Sequence, residues 1–166
     1  MRLPITTAWN LIFTLLLCLA LAPGLLQAAN ETDYLAKAEN AFRAGDLRIA
    51  ERSYKMSLRD NPDQEAAVAG LMEIYIAQHR YREAIRFSEV FLATHASAPV
   101  YSKRGLAFLR MKDMEAARAT FQQAANLGAN DPQVLFETSS FFFNHGEAAK
   151  GEALSERRRV LLSGEQ

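Results

Sequence analysis

The sequence predicts an all-α solenoid of four antiparallel helix pairs, eight helices in all, behind an N-terminal export signal. An apolar N-terminal segment is followed by 136 residues, 30–165, of mixed polar and apolar character. Those residues repeat every 33–34 positions, and such internal periods are typical of stacked repeat architectures. The segments between Gly, Asn and Pro positions are 11–15 residues long and have helical rather than alternating periodicity.

The composition excludes several classes of protein. The chain of 166 residues is 49% hydrophobic, with 19 basic and 19 acidic side chains, whereas disordered chains have low hydrophobicity and high net charge. The even balance gives no support to nucleic-acid binding, which usually shows a clustered basic excess. Arg2 is the one charged residue of 1–28, so its removal leaves 18 basic and 19 acidic residues. We therefore expect groove shape and apolar contact, not bulk charge, to select a partner.

Residues 1–28 are predicted to be a secretory signal peptide. Arg2 precedes an almost unbroken apolar run over 8–22, Pro23 and Gly24 end it, and small residues surround Ala28. This order is that of a signal peptide, and we expect cleavage after Ala28, leaving a repeat domain over 29–166. The alternative is an uncleaved inner-membrane anchor, although the run is shorter than the ~20 residues of a spanning helix.

Cys18, the only cysteine, lies inside the apolar run. Lipidation there is a minor alternative, because Leu16 and Leu17 occupy the places where lipoprotein signals have small residues. Cleavage would leave a chain with no disulfide and no thiol nucleophile.

The repeats are expected over 31–64, 65–97, 98–131 and 132–165. A small residue recurs at the start of each second helix, and a predicted turn precedes it in each repeat, at Gly45-Asp46, His79-Arg80, Lys112-Asp113 and Gly146-Glu147. Four further sets of residues recur at the same spacing of 33–34 positions. The series are Ala50, Ala84, Ala117, Gly151; Tyr54, Ser88, Phe121, Ser155; Ala38, Met72, Gly105, Ser139; Ala41, Tyr75, Phe108, Phe142; and Tyr34, Val68, Tyr101, Leu135.

The third pair shows the packing logic. Ala117, Phe121 and Ala124 lie at steps of four and three, on one face of a helix. Small residues such as Gly105 and Ala117 let two helices approach closely, and aromatic residues fill the space beside them.

On these residues the chain resembles the tetratricopeptide repeat family, whose repeat is a helix–turn–helix of ~34 residues with small and aromatic residues at set places. The third repeat matches best and the first is good. The second has Met72 and Ser88 where a small residue and an aromatic are usual, two changes that we expect to offset each other in volume. The fourth is weakest, with Arg158 at a small-residue position. The resemblance implies a right-handed solenoid and a protein or peptide partner.

The residues point to no catalytic, cofactor or metal site. His79, His95 and His145 all fall in predicted turns. His79 and His145 lie two repeats apart, roughly 20 Å at ~8–10 Å per neighbouring helix, which is too far to share a metal ligated at ~2 Å. We expect a protein that is not an enzyme.

The resemblance also implies a concave groove, lined by the first helix of each pair, where partners dock. The residues it places there are Leu35, Glu39, Phe42 and Arg43; Ala69, Glu73, Ile76 and Ala77; Ser102, Lys103, Leu106, Leu109 and Arg110; Phe136, Glu137, Ser140, Phe143 and Asn144.

Some family members clamp a peptide's C-terminal carboxylate with Lys, Asn and Arg in this groove. Lys103 and Arg110 are present here, but Leu35 and Glu39 replace other members of that set. Carboxylate clamping is therefore disfavoured.

An apolar floor with charged sides instead favours an amphipathic helix or an extended apolar peptide. The anchors would be Phe42, Leu106, Phe136 and Phe143, with Lys103 and Arg110 fixing orientation. The alternative is that several of these side chains pack between neighbouring helices. In the run 141–143 we expect Phe142 in the repeat core, Phe141 against the preceding pair and Phe143 in the groove.

The last predicted helix carries two further features. Arg157, Arg158 and Arg159 spread around its circumference, which favours a solvated surface and a C-terminal dipole interaction over contact with anionic lipid. Val160, Leu161 and Leu162 follow with no polar capping helix after them, so this end is a candidate surface for a partner or a second copy.

These features predict a non-enzymatic interaction scaffold in the bacterial envelope, exported to the periplasm. Exported proteins of this kind resemble accessory factors of secretion, pilus assembly, polysaccharide export or cytochrome maturation. The alternatives are an assembly unit that associates with itself through its last helix, or the same repeats held at the inner membrane by an uncleaved anchor.

Overall fold

The computed structural model describes residues 34–128 and 130–164, and within them the chain forms eight helices and no strand. The predicted signal peptide over 1–28 lies outside the described residues. The helices are α1 (34–43), α2 (Leu47–Asp60), α3 (Glu65–Ala77), α4 (Tyr81–Leu92), α5 (Ala98–Arg110), α6 (Met114–Leu127), α7 (Pro132–Asn144) and α8 (Ala148–Ser163).

The helices stack as a solenoid, because consecutive helices from α2 onward pack on each other and α5 also packs on α3 and α7. Within the described residues, α3 contacts α4 and α5, and α5 contacts α6 and α7. The odd-numbered helices therefore lie side by side as one layer. The predicted all-α solenoid of four helix pairs is confirmed.

Local sequence signals account for the helix starts. The side chains of Asp46, Asp113 and Ser97 accept hydrogen bonds from the backbone N–H groups of Ile49 (3.0 Å), Ala116 (3.1 Å) and Val100 (3.2 Å). Asp131 does the same for Gln133 and Val134, ahead of a helix that begins at Pro132. Short polar side chains at this place satisfy N–H groups that have no partner inside the helix, and Pro suits the first helical position.

The turn inside each pair has a residue with positive φ at the same repeat position. These residues are Gly45 (φ 79°), His79 (61°), Lys112 (63°) and Gly146 (83°). All four lie in the turns that the sequence predicts, which shows that the repeat period extends to the backbone conformation.

The core alternates small and large side chains between helices. Gly105 makes room for Phe121, since a Cβ atom on Gly105 would lie 3.0 Å from the Phe121 ring, and Phe121 is fully buried. Met72 and Ser88, at the equivalent positions of the second repeat, are also fully buried. The large residue thus lies on the first helix in one repeat and on the second helix in the next.

Candidate interaction groove

The groove face is the surface formed by the first helix of each pair, α1, α3, α5 and α7. Buried contacts connect the neighbouring helices of this face. Ala38 of α1 belongs to one buried cluster with Leu71 and Ile74 of α3, and Ala107 of α5 joins the same cluster. The face is therefore continuous across the described repeats.

Most of the apolar residues predicted to line the groove pack partly into the core. Leu35, Phe42 and Ile76 are half-buried against the cluster of the first two pairs. Leu106 and Leu109 are half-buried against the cluster that holds Phe121, Phe141 and Phe142. These five residues contribute to packing between neighbouring helices, and little of each remains for a partner.

Phe136 and Phe143 differ, because they are 50% and 46% exposed. They are seven residues apart on α7 and so lie on the same side of the helix. The Phe143 ring covers Gly151 of α8, where a Cβ atom would lie 2.8 Å from the ring. The Arg158 guanidinium lies 5.2 Å from the centre of the Phe136 ring. The exposed large apolar side chains of the groove face are thus concentrated on α7.

The three consecutive phenylalanines have different surroundings. Phe142 is fully buried in the repeat core. Phe141 stacks on Phe121 of the preceding pair, with ring centres 4.6 Å apart, and on His145 at 4.5 Å. Phe143 is left on the surface.

A buried ion pair crosses the middle of the groove face. The ammonium Nζ of Lys103 on α5 lies 2.6 Å from Oε1 of Glu137 on α7 and 3.4 Å from Oε2 of Glu73 on α3. The Ser102 hydroxyl and the Gln133 side-chain amide also donate to the Glu137 carboxylate, the latter at 2.8 Å. Lys103 and Glu137 are each only 9% exposed in their side chains.

The charge of Lys103 is retained despite its burial. Burial lowers the pKa of Lys103, but the attraction of Glu137 and then of Glu73 outweighs it, and the pKa is raised overall. The sequence predicts that Lys103 orients a partner. The structure instead places its ammonium between two carboxylates of the same chain, so it joins three helices.

Four further predicted groove residues are exposed polar groups. Arg110 and Asn144 lie on the surface at the ends of their helices. Arg43 donates to the Asn40 side chain at 2.7 Å and to the Glu39 backbone carbonyl at 3.4 Å. The carboxylate of Glu39 is exposed and has no hydrogen bond or ion pair within residues 34–128 and 130–164.

The sequence does not single out Tyr54, which belongs to the core series of the repeat. Its side chain is 4% exposed, and the hydroxyl end of its ring lies over Gly70 of α3. The pKa of Tyr54 is raised to about 12 by burial and then by the negative charges of Glu39 and Glu73, with Arg43 opposing them. The sequence feature that indicates this close contact is Gly70. It has no side chain and occupies the repeat position that Lys103 occupies in α5.

The described part of the chain shows neither a metal site nor a membrane-spanning helix. No group of three His, Cys, Asp or Glu side chains there has the arrangement of a metal site. The three histidines make separate local contacts: His79 with the Tyr81 hydroxyl (2.6 Å), His95 with Asp63 (3.4 Å) and His145 with the Phe141 ring. Among the helices of 34–128 and 130–164, none has the length and apolar character needed to cross a membrane.

Comparison by sequence finds a partial similarity to a known protein. No protein-family model matches the chain. An alignment over 109 positions covers 64% of this chain and shows 26% identity to the BBSome complex member BBS4 of Xenopus tropicalis. The match spans only 21% of that relative.

Solved tetratricopeptide-repeat proteins are similar in structure. TTC0263, a thermophilic protein of Thermus thermophilus, gives a TM-score of 0.64 at 18% identity, over 75% of this chain and 70% of that one. YrrB, described as a tetratricopeptide-repeat protein with an unusual peptide-binding site, gives 0.53 at 20% identity, over 80% and 69%. The chain therefore has the tetratricopeptide-repeat fold.

Proposed function

We propose that this chain is a non-enzymatic interaction scaffold whose groove face docks an apolar or amphipathic segment of a partner protein. The observation that carries the proposal is the exposure of Phe136 and Phe143 on one side of α7, while the neighbouring apolar residues are half-buried. Exposed apolar side chains beside charged ones suit an amphipathic segment. The peptide-binding site named for YrrB, a protein of similar fold, supports the same proposal.

The partner can be trapped from the groove face. A photo-crosslinking amino acid at Ser140, between Phe136 and Phe143 in sequence on α7, is expected to capture the partner in cells. The same amino acid at Val90 of α4, a 77% exposed residue outside the groove face, is the matched control. Capture from Val90 but not from Ser140 would place the binding surface elsewhere.

Removing both exposed rings tests the anchors directly. We expect the double variant Phe136→Ala, Phe143→Ala to bind the captured partner at least tenfold more weakly, because burial of one large apolar side chain contributes ~1.5–3 kcal/mol. Titration calorimetry gives the affinity, circular dichroism confirms that the variant is folded, and Val90→Ala controls for loss of an exposed apolar group. A folded double variant with unchanged affinity would contradict the groove proposal.

The setting we propose for this scaffold is the bacterial periplasm, as an accessory factor of a secretion, pilus, polysaccharide-export or cytochrome-maturation machine. The support is the signal-like order of residues 1–28. Intact mass measurement of the protein from cells should show loss of 1–28. A full-length mass would favour the alternative of repeats held at the inner membrane by an uncleaved anchor.

A second candidate function is self-assembly through the last helix. It is favoured by the exposure of Val160, Leu161 and Leu162, which are 40%, 38% and 61% exposed near the end of α8. Light scattering over a range of protein concentrations separates the two functions. A molar mass that stays at that of the monomer would exclude the assembly unit.

A further inference from the structure

The groove face carries a row of charges that is acidic on α7, basic on α5 and acidic on α3. Glu137 of α7, Lys103 of α5 and Glu73 of α3 follow one another, with Lys103 Nζ 2.6 Å and 3.4 Å from the two carboxylates. Glu137 and Glu73 thus share the one cation of Lys103, so one negative charge of the three groups stays uncompensated. The row continues to α1, where Glu39 lies one repeat before Glu73 in sequence, 34 positions away.

The repeat register shows that the next cation is missing. Lys103 of α5 contacts Glu73 of α3, so the equivalent residue of α3 should face Glu39 of α1. That residue lies 33 positions before Lys103 and is Gly70, which has no side chain. Within the described residues the Glu39 carboxylate has neither an ion pair nor a hydrogen bond.

Tyr54 occupies the space above Gly70. A Cβ atom on Gly70 would lie 2.3 Å from Cζ and 2.5 Å from the hydroxyl oxygen of Tyr54, so the hydroxyl end of the ring rests on the α3 backbone. No hydrogen bond of this hydroxyl occurs in the part of the chain that the structure describes, although the residue is only 4% exposed. The hydroxyl oxygen is not among the fully buried side-chain atoms that lack a partner in the described chain, so part of it reaches the surface, where it is available to a ligand.

The charges around this hydroxyl are mainly negative. Glu39 and Glu73 are the carboxylates that act on Tyr54, and both raise its pKa, which keeps the hydroxyl protonated. Arg43 acts in the opposite sense, but its guanidinium is held by the Asn40 side chain of its own helix at 2.7 Å. Glu73 retains an exposed fraction of 46% beside Lys103.

We propose that Glu39, Tyr54 and Glu73 form a binding site for a lysine or arginine side chain of the segment docked on the groove face. The incoming cation takes the place that Lys103 takes one repeat later. Its N–H groups donate hydrogen bonds to the two carboxylates and to the tyrosine oxygen. The inference rests on the proposed docking function and adds to it the chemistry of the partner. The segment is amphipathic, with a basic residue over α1 and α3 and apolar residues over α7.

The site can be tested with a minimal probe. N-acetyl-arginine amide is titrated into the ¹⁵N-labelled protein, and the amide signals of Gly70 and Glu39 are followed by NMR. N-acetyl-citrulline amide, neutral but of nearly the same shape, is the matched ligand. We expect saturable shifts with the arginine compound and none with the citrulline compound.

Two variants identify the groups responsible. Glu39→Gln should weaken binding of the arginine compound by about threefold to tenfold, the range between an exposed ion pair and a charge-assisted hydrogen bond. Tyr54→Phe should weaken it less and leave the fold intact, because the hydroxyl has no bond to lose. Glu152→Gln on α8, an exposed carboxylate outside the groove face, should leave it unchanged.

The outcomes separate this inference from the docking function. Equal binding of the two compounds, absence of shifts at Gly70, or unchanged affinity in Glu39→Gln would each overturn the cation site. Crosslinking from Ser140 reports independently on docking. If a partner is captured from Ser140 but the arginine compound does not bind, the docking proposal stands and the proposal of a basic residue in the docked segment is wrong.

Discussion

At the scale of single residues, two of the turns hold a non-glycine residue in a backbone conformation that it does not favour. Gly45 and Gly146 occupy the positive-φ position in the first and last pairs, but His79 and Lys112 occupy it in the middle pairs. A left-handed conformation costs a residue with a Cβ atom ~1–2 kcal/mol, whereas glycine adopts it freely. The period of 33–34 residues therefore imposes the turn geometry even where the residue does not favour it.

Replacing Lys112 by glycine should stabilise the protein. The variant removes the left-handed strain but loses ~0.5–1 kcal/mol to the greater freedom of glycine in the unfolded chain, so we expect the free energy of unfolding to rise by about 0.5–1 kcal/mol. Urea unfolding followed by circular dichroism measures it. Gly146→Ala is the matched reverse change and should destabilise, and a loss of stability in Lys112→Gly would contradict this explanation.

At the scale of helices, the groove face is held together by polar contacts as well as by packing. Lys103 connects α5 to α3 and α7 through Glu73 and Glu137, and Ser102 and Gln133 complete the hydrogen bonds of Glu137. A second polar connection joins α2 to the turn before α4, where Arg80 lies 3.2 Å from Glu51 and its guanidinium stacks over the Tyr75 ring at 4.3 Å. Adjacent repeats are thus aligned by specific ion pairs.

Loss of the Lys103 ammonium should be strongly destabilising. Lys103→Met leaves Glu137 buried without its cation, and breaking a buried pair from one side costs about 3–5 kcal/mol. Lys55→Met, which removes an exposed lysine from an i,i+4 pair with Glu51, should cost below about 1 kcal/mol. Chemical unfolding at neutral pH measures both, and equal effects of the two variants would contradict the buried ion pair.

The same ion pair predicts a dependence on alkaline pH. Because the pKa of Lys103 is raised in the folded state above its ordinary value of 10.5, its contribution is complete below the unfolded pKa and is lost as the pH rises through the folded value. The difference in unfolding free energy between the parent and Lys103→Met should therefore stay constant from pH 7 to about 9 and shrink at higher pH. A difference that grew with alkaline pH would have the wrong sign for this pair.

At the scale of the whole molecule, burial is uneven along the solenoid. In α3 seven residues are buried, since this helix has repeats on both sides, whereas in α8 Gly151 is the only buried residue among those described. Each repeat of a solenoid is stabilised mainly by its nearest neighbours. The last helix, α8, is therefore held less firmly than the centre of the solenoid.

Hydrogen exchange should reveal this gradient. We expect backbone amides of α8 to exchange through local opening and amides of α3 only through global unfolding, because the free energy of opening follows the buried contacts of each element. Exchange measured by mass spectrometry or NMR gives the protection of each helix. Equal protection of α8 and α3 would show that the protein unfolds as a single cooperative unit.

The sequence by itself determines the helix pairs, their turns and the buried face of each helix. These features depend on residues a few positions apart, such as Ala117 and Phe121, and they recur with the repeat, so local periodicity reveals them. The exposure of Phe143 beside buried Phe141 and Phe142 also follows from the helical period. For this reason the sequence was sufficient to predict the fold and the part of the candidate site that lies on α7.

Only the tertiary structure decides what the groove face offers to a partner. Lys103 has the sequence position of a ligand-binding cation, yet it is buried between Glu73 and Glu137. Tyr54 has the position of a core aromatic, yet its hydroxyl end lies over Gly70 without a partner in the described chain. The physical reason is that these contacts join side chains from different repeats. The rotation between neighbouring helices, which no local pattern records, determines which charges meet and which one is left unpaired.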